Sequence, residues 1–74
     1  MLTAEERSAL ARAPFSFALI GSGANREFAQ VEAMRRRGLL EVEVVEGRAF
    51  GDVARVNVWL TVAGARAYAE DAVR

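Results

Sequence analysis

The spacing of hydrophobic residues predicts one central amphipathic helix. Phe28, Val31 and Met34 recur at three-residue intervals within residues 25–37, so they share one face of a helix. Gly38 follows directly, and glycine readily takes the left-handed conformation that ends many helices.

Two later segments alternate between apolar and polar residues, as strands with one buried face do. These segments, residues 39–46 and 53–61, flank a short loop and predict an antiparallel hairpin. On the outward face we expect Arg55 to pair with Glu41 or Glu43 across the strands. The predicted inward residues are Leu40, Val42, Val44, Val56, Val58 and Leu60.

Polar residues suited to begin a helix stand at three places. Thr3 and Glu6 have the spacing of a capping box, which starts a first helix. This helix ends by Ala13, because Pro14 disfavours helical backbone in the residue before it. The other predicted caps are Thr61, for a last helix over residues 62–73, and Asn25 or Ser22, for the central helix.

The segment from Phe15 to Ile20 fits two structures. Phe15, Phe17 and Leu19 alternate with smaller or polar residues, which indicates a strand. Pro14 equally suits the first position of a short helix, and six residues are too few for periodicity to choose. As a strand, the segment would join the hairpin and give the order α-β-α-β-β-α.

Composition limits the classes of function. The 74 residues form one small α+β domain, 1–74. Histidine and cysteine are absent, which excludes a Cys/His zinc site and removes the usual general base, so we expect no enzyme, metal or cofactor. Ten arginines balance ten acidic residues, which weighs against strong nucleic-acid binding but permits a local basic patch. Neither a signal peptide nor a membrane span is recognisable, so we expect a cytoplasmic protein.

Two segments resemble winged helix-turn-helix domains of bacterial and phage regulators. They are VEAMRRRGLL, from Val31 to Leu40, and VWLTVAG, from Val58 to Gly64. Many such domains end their third helix in L-x-x-R-G-L and leave the wing through L-T-x-x-G. The resemblance covers residues 26–70 and implies three helices on a two- or three-stranded antiparallel sheet. The family also needs a second helix packed across the recognition helix, and residues 15–20 are short for that role.

The resemblance implies a nucleic-acid interface on the central helix and the hairpin loop. Residues early in the helix would read bases in the major groove, arginines at its end would hold phosphates, and a loop arginine would enter the minor groove. Each residue also has an ordinary interpretation, as a solvated helix face or as compensation of the helix dipole. The predicted set is Asn25, Arg26, Gln30, Arg35, Arg36, Arg37 and Arg48.

Two aromatic residues point instead to a protein partner. Phe50 in the hairpin loop either folds onto the core or is exposed to a partner. Trp59, on the polar face of its strand, either covers Tyr68 or anchors an interface, where tryptophan is enriched.

The sequence is therefore compatible with two functions. The first is DNA binding by a small transcriptional regulator of bacterial or phage origin, with the central helix in the major groove and a homodimer as the expected form. The alternative is a protein-interaction module, adaptor or small phage inhibitor on the same scaffold. A continuous positive face joining Arg26, Arg35–Arg37 and Arg48 favours DNA, whereas arginines neutralised by glutamates favour a protein partner.

Overall fold

The computed structural model describes residues 1–46 and 54–73. Its element order is α-β-α-β-β-α, which is the order expected if residues 15–20 contain a strand. The predicted loop residues Arg48 and Phe50 lie outside the described residues. The elements are α1 (Ala4–Arg12), β1 (Phe15–Ala18), α2 (Gly21–Arg36), β2 (Leu40–Val45), β3 (Arg55–Leu60) and α3 (Val62–Ala72).

The three strands form one antiparallel sheet in the order β1-β3-β2. Val58 of β3 lies opposite Phe15 of β1 on one side and opposite Val42 of β2 on the other. β3 is therefore the central strand, and β1 and β2 are the two edges.

The core lies between one face of the sheet and the helices. Within it, the predicted helix stripe is confirmed, because Val31 and Met34 are buried and Phe28 packs against them. The predicted inward strand residues are not all buried. Val44 and Leu60 lie near strand ends and remain 44% and 37% exposed. The buried residues are Leu2, Ala9, Leu10, Val31, Met34, Leu39, Leu40, Val56 and Val58.

The first helix begins as the capping box predicts. The Thr3 hydroxyl accepts from the Glu6 N–H at 3.1 Å, and the Glu6 carboxylate accepts from the Thr3 N–H at 2.9 Å. Each bond satisfies a backbone donor that a helix start leaves without a partner. The helix ends at Arg12, before a cis Ala13–Pro14 peptide bond.

The second helix begins four residues earlier than residue 25, at Gly21. The prediction that Asn25 or Ser22 caps it is wrong. The strand β1 ends at Ala18, and the extended backbone of Ile20 leads straight into the first turn without a side-chain cap. Asn25 therefore lies inside the helix. The end agrees with the prediction, because Gly38 has φ 78°, in the left-handed region.

The start of α3 is hydrogen-bonded to the segment just before β2. The Thr61 hydroxyl accepts from the Gly64 N–H at 2.9 Å, as predicted, and donates to the Gly38 carbonyl at 2.7 Å. A Cβ on Gly64 would lie only 2.0 Å from the Leu39 carbonyl oxygen. Glycine is required here because the helix backbone passes so close to the strand.

The first and last helices also meet. Arg7 Nε donates to Asp71 Oδ2 at 2.8 Å, and the Leu2 N–H donates to Asp71 Oδ1 at 3.2 Å. The Leu2 N–H bond, followed by the Arg7 bond, lowers the pKa of Asp71. The whole is a small α+β domain with a winged-helix-like layout. Across residues 1–46 and 54–73, none of the helices has the length and apolar character needed to cross a membrane.

Candidate interaction surfaces

Carboxylates engage most of the cationic residues predicted to bind phosphates. Arg35 Nε donates to both carboxylate oxygens of Glu32 at 3.1 Å, and this bonding raises the pKa of Arg35. Arg37 pairs with Glu6 of α1. The Thr3 N–H bond, more than Arg37, lowers the pKa of Glu6, so this carboxylate stays ionised beside the guanidinium at neutral pH.

A second group of polar contacts joins α1 to the side of α2 that also carries Arg37. Arg12 pairs with Glu27 at 3.0 Å, and Gln30 Nε2 donates to Glu5 at 3.5 Å. Gln30, a predicted base-reading residue, directs its amide to a carboxylate of α1. These contacts cross the open groove between the two helices, a hollow of about 510 Å³.

The face of α2 turned away from the core carries the remaining predicted residues. Asn25, Arg26 and Arg36 are exposed there, with Ala29 and Ala33 between them. Among the described residues, neither arginine has a carboxylate within salt-bridge distance. In the described part of the predicted positive surface, the arginines without a carboxylate partner are therefore Arg26 and Arg36, which are separate from each other. This surface is not the continuous face joining Arg26 to Arg35–Arg37.

The chain passes from β1 to α2 through Leu19 and Ile20, with no helix between them. The helix that the structure places against α2 is α1, held by Arg12 to Glu27 and Glu6 to Arg37. The helical interpretation of residues 15–20 is therefore excluded, because Phe15–Ala18 pair with β3.

The sheet has a second face, opposite the core, which we call the outer face. Asn57 Nδ2 donates to Glu43 Oε1 across it at 3.2 Å. The predicted pairing of Arg55 with Glu41 or Glu43 is wrong, because the strand register places Arg55 opposite Val45. The residues of the outer face are Ser16, Ala18, Glu41, Glu43, Val45, Arg55, Asn57 and Trp59, and none of them belongs to the core.

Trp59 stands on the outer face opposite Glu41 and is 41% exposed. It does not stack on Tyr68, because the only aromatic pair in the described part of the chain is Phe15 with Phe17. Shallow hollows of about 460 Å³ and 230 Å³ lie on its two sides, towards β2 and towards β1. The indole is therefore open to a partner from the outer side of the sheet.

Residues 1–46 and 54–73 hold no group of three carboxylates placed to bind a metal ion. What their arrangement offers chemically is two surfaces: the α2 face with Arg26 and Arg36, and the outer face with Trp59 and its acidic neighbours. Comparison with protein-family models, curated protein sequences and solved structures finds no match for this chain.

Proposed function

We propose that this domain is a cytoplasmic protein-interaction module that binds its partner through the outer face of the sheet. The observation that carries the proposal is Trp59, which is 41% exposed on the central strand, on a face that no described helix covers. Tryptophan is the residue type most enriched among side chains that dominate binding energy at interfaces.

The exposed indole is large enough to matter energetically. A tryptophan side chain has up to about 250 Å² of surface, so the exposed fraction corresponds to roughly 100 Å². At about 25 cal/mol per Å² of apolar surface, its burial by a partner contributes about 2.5 kcal/mol. That value is the size expected of a single interface anchor.

The charge arrangement supports a protein partner over a phosphate backbone. Arg35 and Arg37 already bind Glu32 and Glu6, and the net charge of the chain is zero. A nucleic acid would have to compete with those carboxylates for these two guanidinium groups. A protein partner on the outer face requires no such exchange.

A matched pair of aromatic substitutions tests the proposal. Partners are captured on the immobilised domain, identified, purified and titrated against wild type, Trp59→Ala and Tyr68→Ala. Tyr68 is a suitable control, because it is exposed to a similar degree, 36%, on the separate helix α3. We expect Trp59→Ala to weaken binding of a purified partner by about 60-fold, from the area above, and Tyr68→Ala to leave it unchanged. Equal binding by all three proteins would contradict the proposal.

A second candidate function, DNA binding by a transcriptional regulator, is supported by the exposed face of α2. Arg26 and Arg36 flank Ala29 and Ala33 there, and small residues let a helix approach the floor of a groove. Anisotropy of a labelled duplex at low salt tests it, with Arg26→Ala and Arg36→Ala against the control Arg66→Ala on α3. Tight, salt-sensitive binding lost only in the first two variants would establish DNA as the ligand and displace the protein-interaction proposal.

A further inference from the structure

The hydrogen-bond register of β2 identifies an edge with unpaired backbone groups. The Thr61 N–H donates to the Leu39 carbonyl at 3.4 Å, which marks these two residues as a hydrogen-bonded pair. In an antiparallel ladder such pairs alternate, so the next residues of β2 that bond to β3 are Glu41, Glu43 and Val45. The backbone groups of Leu40, Val42 and Val44 then point away from β3, where no described strand pairs with them. Leu40 is buried, so the accessible part of this edge is Val42 and Val44.

The same edge is acidic on one side. Glu41 and Glu43 point to the outer face, and both are exposed. Glu46, just beyond the strand, is exposed as well. The hollow of about 460 Å³ lies at this edge and is lined in part by Glu41, Val42 and Trp59 and by Arg35, whose guanidinium is already paired with Glu32.

We infer that the free edge of β2 binds an extended segment of a partner protein in which basic residues alternate with apolar ones. The partner's backbone pairs with Val42 and Val44, as in strand addition to an exposed sheet edge. Its basic side chains lie on the outer face opposite Glu41 and Glu43, and its apolar side chains lie on the side of Val42 and Val44. This inference rests on the proposed protein-interaction function and specifies its site and the chemistry of the partner.

Charge argues against a second copy of the chain as the occupant. Antiparallel pairing of two β2 edges about Val42 places Glu41 opposite Glu43 of the second copy, and like charges directly opposite each other destabilise a sheet. The other edge of the sheet is less suited to bind an added strand, because β1 has four residues and follows Pro14, which has no N–H to donate.

The test uses synthetic eight-residue peptides and the whole isotope-labelled chain. A peptide of alternating arginine and valine is titrated while the amide signals of Val42 and Val44 are followed by NMR. We expect these amides to shift and to gain protection from solvent exchange. An alternating glutamate–valine peptide should bind about tenfold more weakly, because two attractive cross-strand pairs become repulsive.

Charge reversal in the protein provides the matched control. The double variant Glu41→Arg with Glu43→Arg should reverse the order of the two peptides. Glu70→Arg, the same substitution at a single exposed position on α3, should leave the order as it is in wild type. An unchanged order in the double variant would overturn the assignment of this edge.

Backbone methylation separates strand addition from simple charge attraction. Two arginine–valine peptides carry N-methyl groups on alternate residues, in opposite phase. Only the peptide whose methyl groups point away from β2 should bind, because the other has lost the donors that pair with the edge. Equal binding by both would refute strand addition. If the edge fails these tests while a purified partner still depends on Trp59, the proposed function stands without this inference. If no partner depends on Trp59, the proposed function itself fails.

Discussion

Substitution of Gly64 by alanine has two opposite effects on stability: helix propensity favours alanine, whereas packing against Leu39 disfavours it. Gly64 lies in the first turn of α3, and alanine in place of glycine within a helix ordinarily gains about 1 kcal/mol. The new Cβ, however, would lie 2.0 Å from the Leu39 carbonyl oxygen, a separation that must open by about 1 Å before any real contact distance is reached. Because the blocking atom belongs to the backbone, no side-chain rotation relieves the overlap.

The magnitude follows from what the shift disrupts. Thr61 connects Gly64, Gly38 and Leu39 through three hydrogen bonds at this point. Loss of two of these at about 1 kcal/mol each, with about 2 kcal/mol of overpacking and the propensity gain of about 1, leaves a net destabilisation of about 3 kcal/mol. A domain of this size has a free energy of unfolding of about 4–11 kcal/mol, so Gly64→Ala should remove a large part of it.

Urea unfolding followed by circular dichroism at 222 nm measures the effect. The thermal midpoint should fall by roughly 12–24 °C. The control is Ala65→Gly, at the next and exposed position of the same turn, which should cost only about 1 kcal/mol through propensity. A Gly64→Ala protein as stable as wild type, or more stable, would refute the reasoning and show that propensity outweighs the contact with β2.

Three further predictions concern the first helix, the core and acid stability. Thr3→Ala removes the cap oxygen and should lower the free energy of unfolding by about 1 kcal/mol in urea titrations, with Ser8→Ala on the exposed side of α1 as a neutral control. Met34→Ala, at a position only 1% exposed, should cost about 2–5 kcal/mol and Met34→Leu less than about 1.5; equal costs would show that the site is not tightly packed. The pKa of Asp71 is lowered from its ordinary 3.8 by the Leu2 N–H and Arg7, so its contribution is complete above that value and disappears as the pH falls through the lowered pKa. Thermal midpoints of wild type should therefore exceed those of Asp71→Asn at neutral pH and converge with them in acid, and a gap independent of pH would contradict this.

Local chemistry predicted most of the elements. The capping box at Thr3, the glycine at Gly38 and the Thr61 cap each act within four residues, so the sequence alone contains the whole interaction. The hairpin strands were predictable for a similar reason, because residues 39–46 and 53–61 alternate over a longer stretch than the six residues 15–20, long enough to distinguish a strand from a helix.

The remaining features depend on distant residues. Whether Phe15–Ala18 is a strand is decided by β3, some forty residues later, which supplies the backbone partners. The pairing of Arg37 with Glu6 and of Gln30 with Glu5 depends on how α1 lies across α2, which no periodicity within either helix specifies. The candidate site depends on distant residues only in part, because Arg37 is neutralised by Glu6 of another helix, whereas Arg35 pairs with Glu32 three residues earlier in α2.

The contact of Leu2 and Arg7 with Asp71 also has a consequence for how the domain opens. A terminal helix usually frays alone, but here the first residues and the last helix share one carboxylate whose side chain is only 8% exposed. Opening of α3 therefore exposes Leu2, and opening of α1 releases Asp71, so the two helices form one cooperative unit despite lying at opposite ends of the chain. Amide hydrogen exchange should report a single opening free energy for both helices, and Asp71→Asn should lower it in both together.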